Sequence, residues 1–287
     1  MDPKVLTALM MSLFAGLATG IGGAIAFFAK RTNKKFLSVA MGFSAGVMVY
    51  ISFVELFSQA QDALTAELGT KPGSWVTAAS FFGGMLIIAL IDKLVPEAEN
   101  PHEVHTVEDI HEVEDAHEAE VAQEAQGIPV QESEEEKENK LMRAGLLTAL
   151  AIAIHNFPEG FASFMSALRD PSVGIGIAIA IAIHNIPEGI SVSMPVYYAT
   201  GSRSKAFVYS FLSGLTEPIG ALLGYLILAQ FMSETLFGIV FAAIAGIMVY
   251  ISFDQLLPTA EEYGEHHLAI YGLISGMIVM AISLLLF

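Results

Sequence analysis

Cysteine is absent from this chain. Disulfides and thiolate ligands are therefore excluded, and a bound metal must be held by nitrogen and oxygen donors. Charge is the second shortage: Asp, Glu, Lys and Arg make up 15% of 287 residues, against about 25% in a typical soluble domain. What charge there is lies unevenly. Between Glu97 and Lys140 there are 16 acidic residues against Lys137 and Lys140, a net −14 of the formal −17, so the rest of the chain sums to −3. With 13 Lys and Arg against 30 acidic residues, the chain has no basic surface for nucleic acid. Glycine-rich nucleotide loops and the HExxH zinc-protease pattern are also missing, so neither ATP drive nor that class of hydrolysis is indicated. No cleavable signal peptide is evident, because Met1–Lys4 run into an apolar stretch too long for an h-region.

What is present is hydrocarbon: 54% of residues are hydrophobic and the mean hydropathy is +0.60. A helix needs about 20 apolar residues to cross a bilayer core. Eight stretches qualify: Val5–Ala29, Phe36–Phe57, Ser74–Val95, Leu141–Leu168, Val173–Tyr198, Ala206–Phe231, Leu236–Pro258 and Leu268–Phe287. Eight buried helices of a soluble protein would need polar faces that these spans lack. Trp75 and the Tyr197–Tyr198 pair fall at span ends, where amphipathic rings prefer the headgroup level. One side of the membrane collects ten Lys and Arg and the other three (Lys4, Lys71 and Arg169). The positive-inside rule then puts both termini outside and the acidic loop in the cytoplasm.

The chain repeats itself. Gly46–Leu56 and Gly246–Leu256 both read Gly-x-Met-Val-Tyr-Ile-Ser-Phe-x-x-Leu, at an offset of 200, and Ala151–Gly160 (AIAIHNFPEG) is echoed by Ala180–Gly189 (AIAIHNIPEG) at an offset of 29. Spans two and seven are five apart, hence antiparallel, as are consecutive spans four and five. The expected fold is an all-α integral membrane protein whose eight transmembrane helices form a 3+2+3 arrangement, spans 1–3 and 6–8 being inverted repeats. Its divisions are residues 1–95 (spans one to three), 96–140 (the acidic loop), 141–198 (spans four and five) and 199–287 (spans six to eight). Inverted repeats around a midplane site belong to secondary transporters.

The middle pair carries the chemistry. Residues i and i+4 share a helix face, so His155 lies over Glu159 and His184 over Glu188. Asn156 and Asn185 sit one position round, letting each motif present ligands to two adjacent metal positions with the glutamate between. Pro158 and Pro187 withhold one backbone N–H each, freeing the Ile154 and Ile183 carbonyls. His155 is the fifteenth residue of its span, and His184 and Glu217 are the twelfth of theirs, so all three lie near the bilayer centre. Glu217 precedes Pro218, a Glu–Pro pair in a third helix. An ionised carboxylate at that depth costs at least ~3 kcal/mol on insertion scales. No Lys or Arg lies deep in any span, so the positive charge facing Glu159, Glu188 and Glu217 must be protons, a metal, or both in turn. The competing reading is protonated acids hydrogen-bonded across helices to neutral histidines. Imidazole and carboxylate suit Zn²⁺, Fe²⁺, Mn²⁺ and relatives rather than Cu(I).

The paired motifs, eight spans, outward termini and His-containing third loop resemble the ZIP (Zrt/Irt-like) metal transporters, in their bacterial ZupT-like branch. The resemblance implies import of Zn²⁺, with Fe²⁺, Mn²⁺, Co²⁺ and Cd²⁺ as further substrates, into the cytoplasm across the inner or plasma membrane. It also implies a two-metal transport site and a homodimer with elevator-like movement of the inner helices. His155, Glu159, His184 and Glu188 would form one metal position; Asn156, Asn185 and Glu217, with bridging Glu159 and Glu188, the second. Some members carry Gln-Asp where this chain has His184-Asn185, so its second position bears less charge. Metal ions and membrane lipid are the expected partners, the metal being cargo and no cofactor being required.

Glu55 is expected near the outer end of span two and Asp254 near the inner end of span seven, as entrance and exit waystations or as ordinary interfacial carboxylates. His102, His105, His111 and His117 in the acidic loop, and His266 and His267 in another inner loop, read as low-affinity metal capture. A Glu-rich segment without hydrophobic periodicity also reads as a solvated linker. Function is thus expected to be transport and not catalysis. The alternative is an intramembrane zinc-dependent hydrolase, in which metal activates water; a metal-sensing receptor is a third reading.

Overall fold

The computed structural model describes residues 3–26, 34–94, 153–154, 156–200, 202–228, 231, 233–263 and 266–286. The loop 96–140 with His102, His105, His111 and His117, the first half of span four, and His155 lie outside the described residues. Among the described residues all regular structure is helical and there is no strand. The elements are α1 (Pro3–Ala26), α2 (Lys34–Ile51), a π-helical turn (Ser52–Leu56), α3 (Phe57–Leu68), α4 (Thr70–Leu94), α5 (156–169), α6 (Pro171–Thr200), α7 (Arg203–Gly214), α8 (Thr216–Leu228), α9 (Glu234–Ile251), a second π-helical turn (Ser252–Leu256), α10 (Leu257–Tyr263) and α11 (His266–Leu286). Seven stretches among the described residues are long and apolar enough to cross a membrane. They correspond to every expected span except the fourth, which is described only in part.

Two spans differ from their expected form. Span two does not end near Phe57 but continues as α3 to Leu68. Its polar residues sit on one face while Ala60, Ala63 and Leu64 are buried, and the helix stops only at Gly69, whose φ of 87° lies in the left-handed region. Span six is broken by a turn at Leu215 between α7 and α8. Pro218 has no N–H to offer the Gly214 carbonyl, so the helical ladder has a gap there. Pro187, by contrast, sits within an uninterrupted α6.

The helices associate in two groups. In one, α1 packs along α6 and touches α7 and α8; in the other, α2 packs along α11 and α9 along α4. α6 also meets α2 and α11, and Ser283 of α11 donates to the Gly176 carbonyl at 2.8 Å. At one end of the molecule Arg169 ties α5 to α9, 2.7 Å from Glu234 and 4.0 Å above the Phe237 ring.

Small residues set these approaches, as in membrane proteins generally. Gly46 of α2 lies against the Leu273 carbonyl of α11, and Gly246, its counterpart in the repeat, against the Phe81 carbonyl of α4. The motif glycines behave alike: Gly160 abuts the backbone of Glu217, and Gly189 abuts the Thr19 carbonyl of α1. The repeats also share their irregularity. Ser52 donates to the Met48 carbonyl at 2.6 Å and Ser252 to that of Met248 at 2.7 Å, each opening a π-helical turn. Such back-bonding competes with the regular ladder. The outer faces are apolar: Leu6, Met10, Phe14 and Ile21 on α1, Phe82 and Leu86 on α4, and Ile274, Ile278 and Ile282 on α11 are exposed. Surfaces of this extent are suited to lipid.

Gly83 and Gly84 test the packing directly. A β-carbon at Gly84 would strike the Ala243 backbone, whereas one at Gly83 would meet nothing within 4 Å. Gly84→Ala should lower stability by about 1–3 kcal/mol, read as a fall in melting temperature in detergent. Gly83→Ala should leave it unchanged or raise it by up to about 1 kcal/mol, since alanine is the better helix former.

Candidate metal site

The second motif lies on α6 between α1, α2 and α5, and the close approach of Gly160 to Glu217 brings the third carboxylate alongside the first. Asn156, His184, Asn185 and Glu217 are 0% exposed and Glu159 and Glu188 are 1% exposed, so none of them faces lipid. Among the described residues no Lys or Arg is buried.

His184 is the hub. Its Nε2 is 2.7 Å from Glu159 Oε1, and its Nδ1 is 2.9 Å from Ser44 Oγ and 3.5 Å from Glu188 Oε1. The adjacent Asn185 uses both amide protons, donating through Nδ2 to Glu217 Oε1 and to the Ala15 carbonyl. Glu217 feels the charges of Glu159 and Glu188, so the three acids form one electrostatic unit. Asn156 donates through Nδ2 to the Ser213 carbonyl at 3.3 Å. Both motif asparagines thus donate to backbone or carboxylate oxygen.

The acceptors left over matter more. Glu159 Oε2, Glu217 Oε2, Asn156 Oδ1 and Asn185 Oδ1 are buried and receive no hydrogen bond among the described residues. An acceptor left without a donor in a buried site costs about 1–3 kcal/mol, more when charged. Four oxygens from four side chains, with a histidine at hand, suit a cation. As described, the side chains are closed on one another: among the described residues no three His, Asp or Glu side chains converge on a common point. A metal would have to take the place of the His184–Glu159 hydrogen bond.

The family model described as ZIP Zinc transporter matches residues 67–284. A protein of Clostridium perfringens named "Zinc transporter ZupT" is 60% identical over 284 residues, covering 99% of this chain and 97% of its own. Proteins of the same name from Streptococcus mutans and Nitratidesulfovibrio vulgaris are 56% and 59% identical, covering 100% of this chain and 100% and 99% of their own. The chain belongs to the ZIP zinc transporter family. ZIP proteins are multi-pass membrane transporters and not enzymes, which removes the hydrolase alternative.

The remaining candidates of this ZIP chain lie apart from the buried unit. Glu55 and Asp254 each sit in one of the two π-helical turns and are partly exposed. Glu55 accepts from Gln59 Nε2 at 2.5 Å and feels the charge of Asp170; Asp254 bonds Tyr250 and feels Asp92. His266 is exposed and its Nδ1 lies 2.6 Å from Glu261 Oε1, with the His267 ring 5.7 Å away. Sequence reasoning passed over Ser44. Ser44 stands two residues before the repeat that begins at Gly46, and no pattern in the sequence marks it.

Asn185→Ala should lower the stability of the zinc-free protein by about 1–3 kcal/mol, because the Glu217 carboxylate then loses its donor. A melting curve against wild type checks this.

Proposed function

We propose that this chain carries divalent metal ions, zinc first, into the cytoplasm by alternating access through the buried unit around His184. One observation carries the reading: three glutamates, at most 1% exposed, stand among unmatched oxygen acceptors with no buried Lys or Arg among the described residues. The zinc transporters to which the chain is similar support zinc as the cargo. The donor set also suits Fe²⁺, Mn²⁺, Co²⁺ and Cd²⁺. Two metal positions are proposed: His155, Glu159, His184 and Glu188 at the first, and Asn156, Asn185 and Glu217, sharing Glu159 and Glu188, at the second.

Ligation requires bare nitrogen and ionised oxygen, so binding metal releases protons. The proton held between His184 Nε2 and Glu159 Oε1 must leave for an ion to enter. Electroneutrality in the apolar surroundings then makes protons and metal alternate as the cationic partner of the same carboxylates. Asn185 has both amide protons committed and so has only its oxygen to offer an ion, and Asn156 has its Oδ1 unmatched beside a donor spent on the Ser213 carbonyl.

The scaffold proposed for this cycle is the eight-span, 3+2+3 inverted repeat, divided at residues 95/96, 140/141 and 198/199. The matched glycine approaches and paired π-helical turns support it. Distribution of Lys and Arg supports an inner or plasma membrane location with both termini outside and loop 96–140 in the cytoplasm. By family resemblance the chain is a homodimer. Glu55 serves at the entrance and Asp254 at the exit, and His102, His105, His111, His117, His266 and His267 capture metal on the cytoplasmic side.

Uptake of radioactive zinc into proteoliposomes is the direct test. Glu159→Ala and His184→Ala should both fall to the level of protein-free liposomes, and uptake that survives in both refutes the site. Glu55→Ala should raise the apparent KM for zinc while leaving the maximal rate within about twofold, the pattern of lost ground-state binding; unchanged kinetics remove the entrance role.

A further inference from the structure

We infer that Ser44 is a positioning residue for transport: its hydroxyl selects the His184 tautomer that leaves Nε2 bare for metal. The inference rests on the proposal that His184 is a ligand. Ser44 is fully buried on α2, while His184 belongs to α6 in the other helix group. Its Oγ lies 2.9 Å from His184 Nδ1 and 3.3 Å from the carbonyl oxygen of the same histidine. One hydroxyl therefore touches the side chain and the backbone of one residue.

A serine hydroxyl has a single proton and acceptor lone pairs besides. When that proton goes to the His184 carbonyl, Oγ can only accept from the ring, so Nδ1 carries the hydrogen and Nε2 accepts the proton that the Glu159 carboxyl holds; once that acid proton leaves, Nε2 is bare for metal. Donor and acceptor then match along the whole path, from Glu159 O–H to Nε2, from Nδ1–H to Oγ and from Ser44 O–H to the carbonyl. When the proton instead goes to Nδ1, the ring hydrogen sits on Nε2, which donates to Glu159 and cannot bind metal. The backbone carbonyl is a fixed acceptor, and it biases the hydroxyl toward the first arrangement. A histidine ligand generally needs such an outer partner for its second nitrogen, and loss of that partner costs roughly 10–100-fold in metal affinity.

Without the hydroxyl, Nδ1–H still has an acceptor in Glu188 Oε1, 3.5 Å away on the next turn of α6. That carboxylate is itself a proposed ligand, and holding the ring proton would weaken its hold on an ion. Ser44 thus keeps a non-ligand oxygen on the outer nitrogen of His184. Its place on the neighbouring helix group, and not in either His-Asn-x-Pro-Glu-Gly motif, explains why no motif contains it.

The experiment is zinc uptake into proteoliposomes by wild type, Ser44→Ala and Glu159→Gln, with the melting temperature of each protein measured alongside. Ser44→Ala should raise the apparent KM roughly tenfold or more, with maximal rate within twofold and melting temperature unchanged, while Glu159→Gln is inactive. An unchanged KM in Ser44→Ala beside an inactive Glu159→Gln overturns the role of Ser44 and leaves the site reading intact. A joint fall in maximal rate and melting temperature with KM unchanged also overturns it, since that is the mark of packing. Wild-type uptake by Glu159→Gln instead removes the site reading itself, and the inference with it.

Discussion

Carboxylates buried among apolar helices need a cation or a full set of hydrogen-bond donors; among the described residues no Lys or Arg is buried beside Glu159, Glu188 and Glu217, and Glu159 and Glu217 each keep an oxygen with no donor. The rest of the site follows from that shortage. His184 is placed between two of the acids, where a single proton can be shared with Glu159. Asn185 spends both amide protons on Glu217 and a backbone carbonyl, so its own carbonyl oxygen adds to the acceptor surplus and does not relieve it. An acceptor surplus of this kind is what an exchangeable cation would relieve.

The surplus exists because helices come close enough to concentrate it. Gly160 lets α5 reach the backbone at Glu217, and Gly189 lets α6 reach α1 at Thr19. A side chain at either position would strike the facing backbone and push the helices apart. The Glu–Pro pair in span six adds to this. The turn at Leu215 interrupts the helix just before Glu217, leaving the Ser213 carbonyl to receive Asn156 and Thr216 at once. Small residues and a helix break thus set where these acids stand relative to one another.

Much of the fold was legible because its signals are long or duplicated. Apolar runs of about 20 residues have one common meaning, and seven of them reappear as membrane-length helices among the described residues. The repeat at Gly46 and Gly246 proved physical, since both glycines meet a carbonyl of a neighbouring helix and both segments carry the same π-helical turn. Helix ends were less legible. Polar residues after Phe57 looked like the end of a span, yet they only mark the helix face turned from Ala60 and Leu64, and the stop waits for Gly69. Pro187 and Pro218 looked alike but act differently: α6 stays continuous through the first, and span six is interrupted just before the second.

For the site, amino-acid order alone decided which acids and imidazoles fall four residues apart and which lie far along an apolar run, because helical period and span length follow from local residue pattern. It could not decide which atoms meet across helices. That Asn185 serves Glu217 and Ala15, that Glu159 reaches His184 on another helix, and that Ser44 holds the outer nitrogen all depend on helix rotation and separation. Those quantities come from packing many small contacts over the whole bundle, and no single segment encodes them.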